Sequence, residues 1–194
     1  MVVPRVGVLA LQGDVREHVA ALEELGVTVV SVRRAGQLED LDGLVMPGGE
    51  STTIAHLLVT SGLRPILQEK LDEGFKVLGT CAGLIMLSRE ILDGRKDQWS
   101  FDKLEVAVRR NGYGRQIASF ESPVEVKGVG VVPGVFIRAP KIESYEAGVE
   151  VLATLNHGDG AHAVLVRQGN VWGCSFHPEL TSDRRVHQLF TDSL

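Results

Sequence analysis

The first half of the chain alternates short apolar runs with segments of helical periodicity. Apolar runs of strand length occupy residues 6–10, 27–32, 44–46 and 75–78. Between them, apolar residues recur every three or four positions, as they do from Val15 to Leu25. Continuous apolar runs are typical of strands that are buried on both faces. This order predicts a parallel sheet with helices packed on both sides.

Helix starts are predicted from capping signals. Asp14 and Glu17 resemble a capping box, with Asp in place of the usual Ser or Thr. Ser51 is expected to cap a second helix that begins near Thr52. In both places a short side chain with an oxygen can accept a hydrogen bond from a backbone N–H that the helix leaves unpaired.

The second half of the chain changes character. Strand-like runs occupy residues 104–108, 123–126, 135–137, 149–155, 163–166 and 171–176. Most gaps between them are too short for a crossover helix, so we expect antiparallel pairing there. Helices are predicted over 84–92 and from about Asp183. The expectation is one three-layer α/β domain over residues 1–194, with a mixed, mostly parallel central sheet and helices on both faces.

Composition and charge narrow the possible partners. The chain has 194 residues, 44% of them hydrophobic, which lets one compact domain bury most of its apolar surface. Its only cysteines, Cys81 and Cys174, suggest no disulfide framework and predict a reducing, cytoplasmic location. The net charge is −5, without long single-sign runs, which disfavours nucleic acid as a partner. No apolar run is long enough to predict a membrane span.

The sharpest chemical signal is Gly-Thr-Cys-Ala-Gly at residues 79–83, where a predicted strand meets a helix. A Gly-x-nucleophile-x-Gly turn lifts its middle side chain, here Cys81, above the sheet. The helix N-terminus favours a thiolate, and the N–H of Ala82 is a candidate oxyanion donor. The alternative is a structural cysteine buried in a glycine-rich turn. Cys174 lies inside an apolar run and is expected in the core.

A second signal is Ser-Phe-His-Pro-Glu at residues 175–179. Pro178 favours extended backbone at His177, and residues two apart in extended chain face the same side. A carboxylate beside an imidazole fixes its tautomer and stabilises its charged form. Alone, the run is better explained as a polar strand end with a solvated Glu179. Together with Cys81, it predicts a Cys-His-Glu catalytic triad.

Two weaker signals complete the candidates. The run Pro-Gly-Gly-Glu-Ser at 47–51 lets backbone N–H groups approach a ligand closely, although such a turn is usually structural. It is a possible second source of oxyanion donors. His157, Asp159 and His162 have a spacing that could suggest a metal site. Glycines between them make a solvated hairpin loop the favoured interpretation, so no metal is expected.

These motifs, together with residues 7–13, 110–116 and 135–140, resemble the class I glutamine amidotransferases over nearly the whole chain. The last two runs are typical of the subfamily that serves pyridoxal 5'-phosphate synthase. The resemblance implies a flavodoxin-like fold and oxyanion donors at Gly49 and Ala82. It implies that glutamine is bound by Gly49, Glu50, Ser51, Arg110, Ile137 and Arg138.

The resemblance also implies an activity. L-Glutamine is hydrolysed through a γ-glutamyl thioester on Cys81, and the ammonia passes to a synthase subunit, a (β/α)-barrel that makes pyridoxal 5'-phosphate. The chain needs no cofactor of its own. Three alternatives stay open: a glutaminase subunit of another synthase, a free-standing hydrolase of γ-glutamyl peptides, and a catalytically silent binding protein on the same fold.

Overall fold

Strands and helices alternate from the N-terminus to β4 in the structure, a computed structural model that describes residues 3–113, 119–158 and 160–194. These elements are β1 (Arg5–Leu9), α1 (Val15–Glu24), β2 (Thr28–Val32), β3 (Gly43–Met46), α2 (Ser51–Thr60), α3 (Leu63–Asp72) and β4 (Lys76–Thr80). The sequence pattern predicts one helix between β3 and β4, and the structure has two. Gly62, at a φ of 74°, separates α2 from α3 in a backbone conformation that suits glycine.

The remaining elements are mostly strands. They are α4 (Ala82–Leu87), β5 (Ser88–Ile91), β6 (Leu104–Arg109), β7 (Ser119–Val126), β8 (Gly130–Ile137), β9 (Lys141–Tyr145), β10 (Glu150–His157), β11 (Gly160–Gln168), β12 (Val171–Cys174) and α5 (Arg185–Thr191). Short 3₁₀ turns cover Ala35–Leu38 and Pro178–Leu180. The six strands predicted in this half are all present, most of them longer than expected.

The main sheet has nine strands in the order β2-β1-β3-β4-β12-β11-β10-β7-β8. The strands from β2 to β12 pair in parallel, and those from β12 to β8 pair in antiparallel fashion. The sheet is mixed, and the short gaps of the second half do give antiparallel pairs. The parallel part is confined to its first five strands, so "mostly parallel" describes only that half.

A separate three-stranded sheet, in the order β5-β6-β9, is not predicted by the sequence. The helix expected over 84–92 ends at Leu87, and the residues after it form β5, which pairs in parallel with β6. The prediction is wrong there because short apolar runs do not distinguish a helix from a buried strand. β9 pairs with β6 in antiparallel fashion and completes the small sheet.

Apolar side chains cover both faces of the main sheet. On one face, Val8 and Val45 pack in a core with Leu22 of α1 and Phe190 of α5. On the other face the core contains residues of β3, α2, α3, α4 and the small sheet, among them Leu44. Alternate residues of one strand thus enter opposite cores, which gives the three layers that were predicted.

Both predicted helix caps differ in the structure. Asp14 occupies the N-cap position of α1, but its side chain makes no capping bond. Its carboxylate instead lies 3.4 Å from Nδ1 of His177. Glu50, not Ser51, caps α2 by accepting a bond of 3.4 Å from the N–H of Thr52. The polar side chains that were expected to cap the N-termini of these helices therefore lie at the end of the sheet that holds the candidate site.

Loops that follow β1, β3, β4 and β12 meet at the carboxyl ends of these parallel strands. In open α/β sheets this edge is the usual place for a ligand site. Within the described residues, no helix has the length and apolar character needed to cross a membrane.

Candidate active site

Cys81 lies in strained backbone between β4 and α4. Its φ of 49° and ψ of −104° are rare for a residue with a side chain. A Cβ on Gly79 would lie 2.5 Å from the backbone of Gly83, and one on Gly83 would lie 2.1 Å from the Met46 carbonyl oxygen. Both glycines of the motif are therefore needed for α4 to pack this closely. The backbone N–H of Cys81 donates to the Cys174 carbonyl at 2.8 Å, which ties the turn to β12.

His177 contacts Cys81 from the segment after β12. Its Nδ1 lies 2.7 Å from Oε1 of Glu179, and its ring is close enough to the Cys81 side chain for that group to raise its pKa. Burial lowers the pKa of His177, but the hydrogen bonds and charges of Cys81 and Glu179 outweigh it and raise that pKa to about 10. The imidazole is therefore charged at neutral pH, as expected beside a nucleophilic cysteine.

The geometry that joins His177 to Glu179 differs from the one predicted. The sequence suggests extended chain, whereas the strand ends at Cys174 and Pro178–Leu180 forms a 3₁₀ turn. The two side chains meet across this turn instead. Glu179 is almost fully buried, and burial raises its pKa although His177 opposes the shift. The alternative interpretation of the run, a polar strand end with a solvated glutamate, is contradicted by this burial.

Two buried histidines lie behind Glu179. Nε2 of His18, on α1, is 3.4 Å from Oε2 of Glu179 and 3.0 Å from Oγ1 of Thr80. Nδ1 of His18 is 3.0 Å from Nε2 of His187, on α5. Burial, then the charges of His187 and His177, lower the pKa of His18 well below its usual value. Burial and the charge of Arg184 lower the pKa of His187 to about 4.

Sequence reasoning missed His18, although a signal was present. His18 follows Val15 by three positions and precedes Leu22 by four, so it falls on the apolar stripe of α1. A polar residue on a buried stripe needs a partner inside the protein. His187 stands beside the buried Val186 and carries no comparably clear signal.

The loop after β3 packs tightly against the loop after β1. The Gly48 carbonyl accepts a bond of 3.2 Å from the N–H of Asp14, and a Cβ on Gly13 would lie only 1.7 Å from that carbonyl oxygen. Oε1 of Gln12 accepts a bond of 2.8 Å from the N–H of Glu50. Gly49 has a φ of 150°, in the range that favours glycine. This contact holds the predicted oxyanion loop in place.

A cavity of about 350 Å³ opens beside Cys81 and His177. Its lining includes every residue predicted to bind glutamine, and its members are Asp14, Gly49, Glu50, Ser51, Cys81, Ile85, Arg110, Asn111, Ile137, Arg138 and His177. Ala82 begins α4 directly after Cys81 and is buried, and it is not in the lining. Residues 114–118, part of the run 110–116 singled out in the sequence, lie outside the described residues.

Arg110 is held in the cavity wall by several contacts. Its guanidinium donates to Oε1 of Glu50 at 2.8 Å and to Oε1 of Gln98 at 3.3 Å. Its backbone N–H donates to a carboxylate oxygen of Asp93 at 2.7 Å. The amide of Gln98 in turn donates to the Ser51 hydroxyl at 2.9 Å. Gln98 thus connects two residues predicted to bind glutamine, and nothing in its polar sequence surroundings pointed to it.

The segment Ile137–Arg138 borders the side chain of Cys81. Sγ of Cys81 lies 3.9 Å from the carbonyl oxygen of Ile137. Arg138 has a φ of 44°, a backbone conformation that is costly for a residue with a side chain. Strain of this kind tends to occur at ligand-binding sites, where the surrounding packing holds it.

Side chains that could suggest a metal have other contacts here. Nδ1 of His177 and carboxylate oxygens of Asp14 and Glu179 lie within 4.8 Å of one another, but that nitrogen is already bonded to Glu179. We interpret His177 and Glu179 as an acid–base pair with Asp14 beside it. His157 stacks on Phe120 with ring centroids 4.7 Å apart, in the β10–β11 hairpin. His162 contacts an aromatic ring, and Asp159 lies outside the described residues.

The fold and its cavity define a protein of the glutamine amidotransferase class. A crystal structure described as a glutamine amidotransferase superposes with a TM-score of 0.89 at 50% identity, covering 96% of this chain and 97% of the other. The structure of PurLQS from Thermotoga maritima has a TM-score of 0.74 at 16% identity, over 99% of each chain, which shows the shared fold alone.

Sequence comparison gives the family. Residues 8–194 match the SNO glutamine amidotransferase family, and the chain belongs to that family. A pyridoxal 5'-phosphate synthase subunit PdxT from Salinispora tropica is 54% identical, over 99% of this chain and 97% of the relative. The subunit of the same name from Kineococcus radiotolerans is 52% identical, over 97% of this chain and 94% of the relative.

His187 should make the protein sensitive to acid. The native state keeps His187 neutral down to about pH 4, whereas the unfolded chain binds that proton near its ordinary pKa of 6.5. The stability that depends on neutral His187 is complete above pH 6.5 and is lost as the pH falls towards 4, by about 3 kcal/mol. Urea unfolding at several pH values should show a shallower acid loss in His187→Gln than in wild type.

The control for this measurement is His56→Gln, at an exposed histidine on α2. It should retain the acid loss of the wild-type protein. Equal acid loss in His187→Gln and in wild type would contradict the assignment of that loss to His187.

Proposed function

We propose that this chain hydrolyses L-glutamine to L-glutamate and ammonia and supplies the ammonia to a synthase subunit that makes pyridoxal 5'-phosphate. The main observation in support of the proposal is that Cys81 and His177 line the same cavity as every residue predicted to bind glutamine. Relatives at 52–54% identity over nearly the full chain are named as subunits of that synthase, which supports the choice of product.

In the proposed reaction, the Cys81 thiolate attacks the side-chain carboxamide carbon of glutamine. A carbon–sulfur bond forms, and the carbonyl π electrons move to oxygen, which the N–H groups of Gly49 and Ala82 stabilise. One such donor is typically worth about 10²–10³ in turnover. His177 then gives its proton to the leaving nitrogen, and ammonia departs from a γ-glutamyl thioester.

Hydrolysis of the thioester reverses the proton flow. Neutral His177 removes a proton from a water molecule, which attacks the thioester carbon and releases glutamate and the Cys81 thiolate. Glu179 keeps the Nδ1 proton of His177 in place through both halves, so that Nε2 faces the reacting atoms. Every step uses acid–base and covalent chemistry of the side chains, so the proposal needs no cofactor.

Glutamine recognition follows from the charges in the cavity. The Arg110 guanidinium can hold the α-carboxylate of glutamine in two parallel hydrogen bonds. Glu50, 2.8 Å from Arg110, offers a negative charge for the α-ammonium group. The backbone of Ile137 and Arg138 borders the carboxamide end, since the Ile137 carbonyl lies beside Sγ of Cys81.

We propose further that residues 1–194 act as one glutaminase domain in the cytoplasm, with a (β/α)-barrel synthase subunit as the partner and no nucleic acid. The test mixes the chain with that subunit, sugar phosphates and glutamine. Formation of pyridoxal 5'-phosphate supports the proposal. Release of ammonia without any product would instead favour a glutaminase of another synthase or a free-standing hydrolase.

The first prediction from this mechanism concerns the two cysteines. Cys81→Ala should lower glutamate release by at least about 10³-fold, because no other group can form the thioester. Cys174→Ala is the matched control, since Cys174 is also buried, on the adjacent β12, and its thiol bonds to the Phe176 carbonyl at 3.3 Å. It should retain most of the turnover. Substantial activity in purified Cys81→Ala would falsify the mechanism.

The second prediction concerns the substrate contacts. Arg110→Gln should raise the KM for glutamine by about 10- to 100-fold, as expected when a charged hydrogen bond is lost. Gln98→Leu should raise KM less, because it only frees Arg110 and Ser51 to move. Arg109→Gln is the control, since its side chain pairs with Glu143 at 2.9 Å and does not line the cavity. A wild-type KM in both Arg110→Gln and Gln98→Leu would remove Arg110 from the glutamine site.

A further inference from the structure

Only one of the two carboxylate oxygens of Glu179 has a partner in the proposed mechanism. Oε1 receives the bond from His177, but Oε2 is buried and makes no hydrogen bond of good geometry among the described residues. A buried carboxylate oxygen without a donor is costly, because it has lost its hydrogen bonds to water and gains none in the protein. A side-chain donor that can approach it is Nε2 of His18, at 3.4 Å.

We propose that His18 is a positioning residue that donates its Nε2–H to Glu179 and so holds the carboxylate in line with His177. This inference rests on the proposed function of the Cys81 site. It adds a fourth member to the group of Cys81, His177 and Glu179 and places that member on α1, outside the cavity lining.

The tautomer of His18 can be argued from its surroundings. If Nε2 carried no proton, its lone pair would face the negative Oε2 of Glu179 at 3.4 Å, which is repulsive. With the proton on Nε2, the positive end of that N–H lies near Oε2 of Glu179, and the group can donate to the Thr80 hydroxyl oxygen, 3.0 Å away. The first contact is then attractive, and the second is an ordinary hydrogen bond.

His187 supports the same tautomer. Its Nε2 lies 3.0 Å from Nδ1 of His18, so one of these two nitrogens must carry the shared proton. Nδ1 of His187 has no partner in the part of the chain that the structure describes. If His18 donated through Nδ1, His187 would have to leave its own Nδ1–H buried without an acceptor. If His187 donates, it leaves only a bare nitrogen, and an unpaired buried acceptor is tolerated better than an unpaired N–H.

The row of contacts from His187 through His18 and Glu179 to His177 affects the proposed reaction. Hydrogen bonds run from His187 to His18 and from His177 to Glu179, and the proposed contact of His18 with Oε2 holds the carboxylate from its other side. His18 is 0% exposed and joins α1 to Thr80, the residue before the nucleophile. Loss of His18 should let Glu179 rotate and should loosen the imidazole of His177, without touching the glutamine contacts.

The test measures glutamine hydrolysis by the chain together with its synthase subunit. His18→Leu removes the donor at similar volume and should lower kcat by about 10-fold or more, as for other residues that orient catalytic groups. KM should stay within about twofold. His18→Gln can place an amide N–H near the position of Nε2, and it should recover most of the lost kcat. Equal kcat in His18→Leu and wild type would overturn the proposal.

A double-mutant cycle separates positioning from loss of stability. In a Glu179→Ala background, His18→Leu should cause no further fall in kcat, because His18 acts through Glu179. If the two losses multiply, the proposal is overturned. Leu22→Ala, at a fully buried residue one turn further along α1, should destabilise the protein while kcat per folded molecule stays constant.

The tautomer gives a readout that does not depend on activity. Nitrogen NMR of the histidine-labelled complex should show His18 neutral with its proton on Nε2, the signal being assigned by its loss in His18→Gln. A proton on Nδ1 would overturn the inference. If Cys81→Ala retained activity, the proposed function would fail while this spectrum could still show the Nε2 proton, so the two failures are distinguishable.

Discussion

The close approach of α4 to β3 and β4 is the contact on which the rest of the site depends. It is possible only because residues 79 and 83 are glycines, where a Cβ would lie 2.5 Å and 2.1 Å from backbone atoms. The strained conformation of Cys81, with a φ of 49°, is held by this packing and by the bond to the Cys174 carbonyl. The energetic cost of the strain, typically about 1–3 kcal/mol, is offset by the apolar core beneath the turn.

Around this turn, buried polar groups contact one another across elements that are far apart in sequence. Glu179 lies between His177 and His18, and His18 reaches His187 on the last helix. Low dielectric inside the protein strengthens such contacts and makes an unpaired member costly. The same interior that supports the apolar cores therefore also fixes the geometry of the proposed reaction.

Much of the fold could be predicted from the sequence, because strands buried on both faces leave continuous apolar runs. The boundary between α4 and β5 could not, since residues 84–92 are equally compatible with a longer helix. The break at Gly62 and the strand β9 depend on tertiary pairing that local periodicity does not encode.

The residues of the candidate site could likewise be predicted only in part. Cys81, His177 and the Gly48–Gly49 turn were predicted because their chemistry needs glycine or proline at fixed spacing. His18 and Gln98 were missed because their contacts form only in the folded chain. His18 meets Glu179, which is 161 residues away, and Gln98 meets Ser51, which is 47 residues away. The caps at Asp14 and Ser51 were misassigned because these side chains face the cavity instead.

The proposed function depends above all on a covalent bond between Cys81 and glutamine. The most direct measurement treats the wild-type complex with a glutamine analogue that carries an electrophilic carbon in place of the carboxamide, followed by peptide mapping by mass spectrometry. A single adduct on Cys81 is expected, and it should form more slowly when glutamine is present. Modification of Cys174, or full glutamine hydrolysis with Cys81 unmodified by a saturating dose, would contradict it.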